Sequence, residues 1–403
     1  MHRLKALACA LALAPSVVLS AAPKPPAAGN DINPYLGKTA FANKGYASNL
    51  DATIQFFLKK LDFVNAAKAR TVQKIPTFSW LADSASVSGV KDLVTDALLA
   101  QPFSRNKQVV QLVVYNLPDR DCSAKASAGE FSLADDGLNK YKGFIDSVVT
   151  QLSTANAKKL SFVVLLEPDS LANVVTNLNV EKCANAASAY KQGISYAIAK
   201  LQLPNVAIYL DAGHGGWLGW DSNLAPAAAI FAEVLQGAQN ITAGATVRGL
   251  ATNVSNYNQY ISPVRENFTQ FSSSWDEFHY VNSLTPFLLS AGYPAHFIID
   301  QGRAGQAGVR TDWGQWCNVK NAGFGTRPTT SQAVLNNTFV DAIVWVKPGG
   351  ESDGTSDSTS PRFDTTCVDA VAQVPAPEAG LWFNAYTVGL VKGANPPLEP
   401  TWF

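Results

Sequence analysis

Residues Leu160-Ser161-Phe162-Val163-Val164-Leu165-Leu166 run directly into Glu167-Pro168-Asp169-Ser170. A short apolar run closed by a proline and two carboxylates reads as a strand buried on both faces that ends at a polar surface. Six further runs have the same character, at residues 74–81, 109–117, 206–210, 246–254, 296–300 and 342–346. Between them lie Ala-rich amphipathic stretches, among them 87–99, 136–152, 185–201 and 226–239. Strands that alternate with helices imply a parallel sheet, because each crossover returns the chain to the same end. The order predicts a single α/β domain, a parallel β/α barrel of about seven strands. An open doubly wound sheet is the competing arrangement, but no GxGxxG follows the first strand.

Polar residues collect where these runs stop. The clusters are Tyr115-Asn116-Leu117-Pro118-Asp119-Arg120-Asp121-Cys122, Asp211-Ala212-Gly213-His214-Gly215-Gly216-Trp217, Asp300-Gln301-Gly302-Arg303 and Lys347-Pro348-Gly349-Gly350-Glu351-Ser352-Asp353. The C-terminal ends of parallel barrel strands share one face, so clusters far apart in sequence are expected to converge there.

Composition narrows the partner. The 403 residues are 47% hydrophobic and 15% charged, with 31 Lys+Arg against 31 Asp+Glu, which argues for a packed chain rather than disorder. No basic run is present to bind nucleic acid. Nine Trp and twelve Tyr suit a flat, uncharged ligand such as a sugar. Arg3 and Lys5, an apolar run of about 14 residues and then Ser20-Ala21-Ala22 make the pattern of a cleaved secretory signal over residues 1–21. The run is too short to span a membrane. Residues 22–403 are then one extracellular domain, mildly acidic once the leader is removed. Cys9 leaves with the leader; Cys122, Cys183, Cys317 and Cys367 remain as an even set in an oxidising compartment. Three pairings are possible, and Cys122–Cys183 with Cys317–Cys367 is favoured because each ties a long loop to a neighbouring element. No Cys or His spacing suits zinc, so no metal and no cofactor are expected. Sequons at Asn240, Asn267 and Asn336 fit a secreted surface, whereas Asn253 follows a strand-like run and is expected to be inaccessible.

Carboxylates at strand ends, aromatics and no metal point to cleavage of a glycosidic bond, which needs a protonated acid and a group to manage the attacking water. An apolar run leading into Glu167-Pro168-Asp169 places Asp169 in a partly dry setting that favours its protonated form, so Asp169 is the candidate general acid. The alternative is that Asp169 only caps the following helix. Asp121, between Arg120 and Cys122, is its candidate charged partner; the alternative there is a surface pair with Arg120.

The stretches 114–122 and 165–172 resemble the two signature motifs of glycoside hydrolase family 6, cellulases of the cellobiohydrolase II type. Residues 75–80, 210–220, 251–258, 300–303, 313–318 and 346–364 resemble the same family in the same order, so the likeness covers essentially the whole mature chain. The resemblance implies a seven-stranded distorted barrel whose loops roof a tunnel. It implies hydrolysis of β-1,4-glucan in cellulose and cello-oligosaccharides with inversion, by a monomer. By matched position it makes Asp169 the proton donor and Asp121 the neighbour that raises its pKa. Tyr115 would lie under the distorted sugar, Ser127 would belong to a water chain, and Asp353 would be the proposed base. It assigns Trp80, Trp217, Trp220 and Trp316 as sugar platforms, and Lys347 and Glu351 as partners of sugar hydroxyls; Arg120 and His214 are further candidate substrate contacts, His214 equally a buried structural donor at a strand mouth. Loops 122–131 and 351–367 match the two that close the tunnel, which favours processive release of cellobiose from the non-reducing end over endo-cleavage in an open cleft. Ala128 stands where Asn is common, and Ser352 where some members have Cys. No Cys-rich cellulose-binding module or Ser/Thr linker is evident, so weaker grip on crystalline cellulose is expected. A non-catalytic glucan-binding protein would require loss of the acid pair, and an esterase would require a GxSxG elbow that the chain does not contain.

Overall fold

Eight short strands, all paired in parallel, form the sheet of the computed structural model, which describes residues 32–104 and 106–402. They are β1 (Lys38–Ala40), β2 (Ser79–Leu81), β3 (Lys107–Val114), β4 (Ser161–Leu166), β5 (Val206–Asp211), β6 (Gly249–Thr252), β7 (Phe297–Asp300) and β8 (Val340–Val344). The lateral order is β1-β3-β4-β5-β6-β7-β8, and β2 also pairs with β3. β1 lies against Lys107–Val109 and β2 against the far end of the same strand, Leu112–Val114, so the two share one edge. Eight strands thus occupy seven lateral places. The seam between β8 and β2 is stitched by isolated bonds: the Phe78 N–H donates to Trp345 O (3.2 Å) and the Trp80 indole to Val346 O (3.1 Å).

Side chains of a strand alternate between faces, and β3 shows what each face meets. Val110, Leu112 and Val114 point outward into the layer between sheet and helices, whereas Val109, Val113 and Tyr115 join Phe78, Val163, Leu165, Tyr209 and Ile298 inside the barrel. The outer layer is α3 (Val90–Ala100), α4 (Gly137–Leu152), α5 (Ser170–Thr176), α6 (Glu181–Lys200), α7 (Asp221–Ile241) and α8 (Glu277–Ser290). A second core forms where α1 (Lys44–Lys59) and α2 (Phe63–Val72) pack with α10 (Asn384–Lys392), around Leu50, Phe57 and Leu390; α9 (Gln332–Leu335) is a single turn. Deep in the barrel, Arg248 grips Asp341 through two bonds (2.8 and 2.7 Å), and the Tyr209 hydroxyl donates to the same carboxylate (2.6 Å).

The sheet corrects several expected boundaries. Of residues 74–81 only Ser79–Leu81 are strand, because Pro76 has no ladder donor and disfavours a regular run. β6 is confined to Gly249–Thr252, and the last strand begins two residues earlier than expected. The three-residue β1 and the first two helices were not anticipated. The Asn43 Oδ1 caps α1 by accepting from the Gly45 N–H (2.8 Å). The expected leader lies outside the described residues, and among those described no helix is long and apolar enough to cross a membrane. Both favoured disulfides form, Cys122–Cys183 and Cys317–Cys367. Asn240, Asn267 and Asn336 are exposed, whereas Asn253 is fully buried and donates to Asn258 O and Asp300 O.

Candidate active site

At the C-terminal ends of the strands lies a cleft of about 570 Å³. β4 delivers the first carboxylates through a sharp corner: Glu167 (φ 51°) and Asp169 (φ 68°) are both left-handed and flank Pro168. Glu167 turns inward and accepts the Asn116 N–H (3.1 Å) and Leu117 N–H (3.2 Å), which fixes the end of β3 against that of β4. Burial pushes the Glu167 carboxyl up to about 7. Asp169 turns into the cleft. It stands at the N-cap of α5 but its side chain makes no capping bond, so the carboxyl is free for chemistry. Its burial, then the charges of Asp211 and Asp121, hold it protonated well above the usual carboxylate range.

Asp211, the last residue of β5, is the partner the sequence reading passed over. Its Oδ2 accepts the Asp169 N–H (2.9 Å) and the Gly213 N–H (3.1 Å), while its buried Oδ1 has no partner among the described residues. Burial raises it to about 7. Two adjacent carboxylates that cannot both ionise cheaply keep a proton between them. The signal was its position at a strand end, the same one that singled out Asp169.

Asp121 (φ 57°) lies across from them after β3; its Oδ2 accepts the Ser127 N–H (2.7 Å), and burial is the main cause of its raised pKa. Tyr115 and Trp80 meet edge to face, 5.6 Å between centroids, and with Ser127 they line the cleft. Asp353 faces them from the segment after β8. Its Oδ2 accepts from Arg303 (2.6 Å), the Tyr257 hydroxyl (2.9 Å) and the Asn318 N–H (2.8 Å), and its Oδ1 accepts from Arg303 (2.8 Å). Lys347 Nζ is 4.0 Å from Asp353 Oδ1 and 5.7 Å from the Trp80 ring centroid.

Trp217, Trp220 and Trp316 also line the cleft, half-buried, with the indoles of Trp217 and Trp220 anchored on Thr176 Oγ1 (2.7 Å) and Gly216 O (3.0 Å). Trp313 was not singled out from the sequence, yet it forms the wall beside His214, edge-on to Phe268 at 5.2 Å. His214 is buried and neutral, its pKa lowered to about 3 by desolvation and by Arg310, and its Nδ1 accepts the Gly216 N–H (3.2 Å).

One expected contact is placed elsewhere. Arg120 does not line the cleft: its guanidinium lies over the Tyr115 ring (4.3 Å) and donates to Ala82 O (2.7 Å), Ser127 O (2.9 Å) and Tyr115 O. Those bonds use its donors on the backbone that carries Tyr115 and Ser127, and no ion pair with Asp121 forms among the described residues. Glu351 is half-buried, its carboxyl raised by burial, with the charges of Lys347 and Arg303 acting against the shift. Ser352, fully buried, donates to Pro377 O (2.8 Å).

Comparison with known proteins gives the same picture. The family model described as glycosyl hydrolases family 6 matches residues 35–394. Exoglucanase 3 of Agaricus bisporus is 52% identical over 91% of this chain and 80% of its own length. The 1,4-beta-D-glucan cellobiohydrolase CEL6B of Podospora anserina is 45% identical over 97% and 90%. Among solved structures, the family 6 enzyme CcCel6C of Coprinopsis cinerea superposes with a TM-score of 0.90 at 58% identity, covering 92% of this chain and all of that one. Cellobiohydrolase II of Humicola insolens in complex with glucose and cellotetraose gives 0.85 at 43% identity, over 91% and 99%. With its parallel barrel and a carboxylate-lined cleft at the strand ends, the chain belongs to glycosyl hydrolase family 6.

Proposed function

We propose that the protein is a secreted cellulase that hydrolyses β-1,4-glucosidic bonds with inversion and releases cellobiose from the non-reducing end. The observation that carries this reading is Asp169, a carboxyl kept protonated at the centre of a cleft walled by indoles. Asp169 gives its proton to the departing glycosidic oxygen, and a water attacks the anomeric carbon from the opposite face. Asp211 and Asp121 hold that proton in place before the step, and Asp121 stabilises the positive charge that develops on the sugar. Tyr115 lies beneath the distorted ring. The attacking water loses its proton through a chain involving Ser127, with Asp353 as the carboxylate that finally compensates the charge. Three donors on one Asp353 oxygen favour this relayed role over direct abstraction. Trp80, Trp217, Trp220 and Trp316 stack glucosyl units along the path, and Lys347 and His214 contact hydroxyls. Stacking without strong charge suits a chain that must slide after each cut.

Exo-action is favoured over an open endo-cleft because loops 122–131 and 351–367 meet over the site: the Arg362 guanidinium donates to Ala126 O (2.5 Å). Residues 1–21 act as the signal, 22–403 as the single catalytic domain, and the mature protein works as a monomer glycosylated at exposed sequons. The test is incubation with cellohexaose while product length and anomer are followed by NMR in the first minutes. Early α-cellobiose with little odd-length product is the expected result. Mixed cellotriose and cellotetraose, still α, would make it an endoglucanase; β products would overturn the mechanism.

A further inference from the structure

We propose that Arg362 is the latch that holds the roof of the cleft closed and so sets the balance between processive and internal cleavage; the proposal rests on the cellobiohydrolase reading above. Each roof loop carries a disulfide at one end. Loop 122–131 begins at the Cys122–Cys183 disulfide, and loop 351–367 ends at Cys317–Cys367. Between the two loops, the bond from Arg362 to Ala126 O is the one hydrogen bond among the described residues, joining positions 236 apart in sequence.

The contact around that bond is tight. Ala126 is buried under the second loop, and a Cβ on Gly354 would stand 2.9 Å from the Ala126 Cβ and 2.7 Å from the Cys367 Sγ. Gly354 is therefore what lets the loops meet, and the guanidinium is what holds them. Arg362 is itself oriented from its own loop, since its N–H donates to Ser360 Oγ (3.1 Å) and Ser360 donates to Glu378 (2.6 Å). Ser127, one residue on, is held by its own bonds, its N–H to Asp121 and its carbonyl from Arg120, so the water-chain residue is fixed independently of the latch. Arg362 does not line the cleft, so its removal leaves the sugar contacts and the acid pair in place. A charge-assisted bond of this kind shifts an open–closed equilibrium by roughly tenfold.

The experiment compares the wild type with Arg362→Ala and Arg362→Lys on amorphous cellulose and on cellotetraose. The readouts are the ratio of soluble to insoluble new reducing ends and the turnover of the tetramer. Arg362→Ala is expected to lower the ratio by about fivefold to tenfold while cellotetraose turnover stays within about twofold. Arg362→Lys, which keeps a cationic donor, restores most of the ratio. An unchanged ratio in Arg362→Ala beside a processive wild type overturns the latch alone. A wild type that already leaves most new ends in the insoluble fraction overturns the exo reading and the latch with it. Equal loss of both readouts in the Ala and Lys variants assigns Arg362 to loop folding and also overturns the proposal.

Discussion

Asp211 controls the acid from behind, through one bond to the Asp169 backbone and through its charge. Replacing it by Asn keeps the acceptor for the Asp169 N–H and removes the charge. Asp169 then ionises more readily, and because the working form is the protonated one, activity is lost at lower pH than in the wild type. The alkaline limb of the kcat profile is expected to move down by roughly one unit, with the acidic limb little changed. A limb that stays put would mean that burial alone holds the proton. At this scale, Asp169 and Asp121 were legible in the sequence because strand, corner and carboxylate are contiguous. Arg120 was not: the same polar cluster sends Asp121 into the cleft and Arg120 onto the carbonyls of Tyr115 and Ser127, a choice made only in the folded corner.

Two segments shape the wall that carries Trp217 and Trp313. The turn 213–217 carries Trp217 and leaves room for an indole from elsewhere: a Cβ on Gly216 would stand 1.9 Å from Trp313 Cε3. Gly216→Ala must therefore push Trp313 out of the wall. Loss of one aromatic face is worth about a factor of ten, so KM for cellopentaose is expected to rise by that order with a smaller change in kcat. An unchanged KM would show Trp313 to be packing rather than platform. Trp313 went unnoticed beside Trp316 because a pair of tryptophans three apart does not say which one faces a glycine of another loop.

Across the whole molecule, several carboxyls are folded into dry places. Glu167, Asp211 and Glu277 are each pushed up to about 7 by burial. Unfolded, such groups ionise near 4. Raised folded values mean that the native state binds more protons, so stability is full below the unfolded pKa and is lost as pH rises through the folded values near 7. The loss is up to about 4 kcal/mol for each group. The unfolding temperature, followed by calorimetry from pH 5 to 8, is expected to fall by several degrees. A rise over that range would mean that these carboxyls are ionised in the folded protein.

What the sequence by itself determined was everything written in neighbouring residues. Apolar runs closed by polar corners dictated parallel strands with a shared functional end, and four cysteines in a chain with a secretory leader pattern pointed to the two loop-tying disulfides that formed. Tertiary structure decided what depends on distance across the barrel. It brought Asp211 beneath Asp169, turned Arg120 onto the backbone, set Trp313 against Gly216 and joined Arg362 to Ala126. Each is a contact between strand ends or loops far apart in sequence, and no local pattern encodes it, because its geometry exists only once the barrel has curled and the corners have chosen their direction.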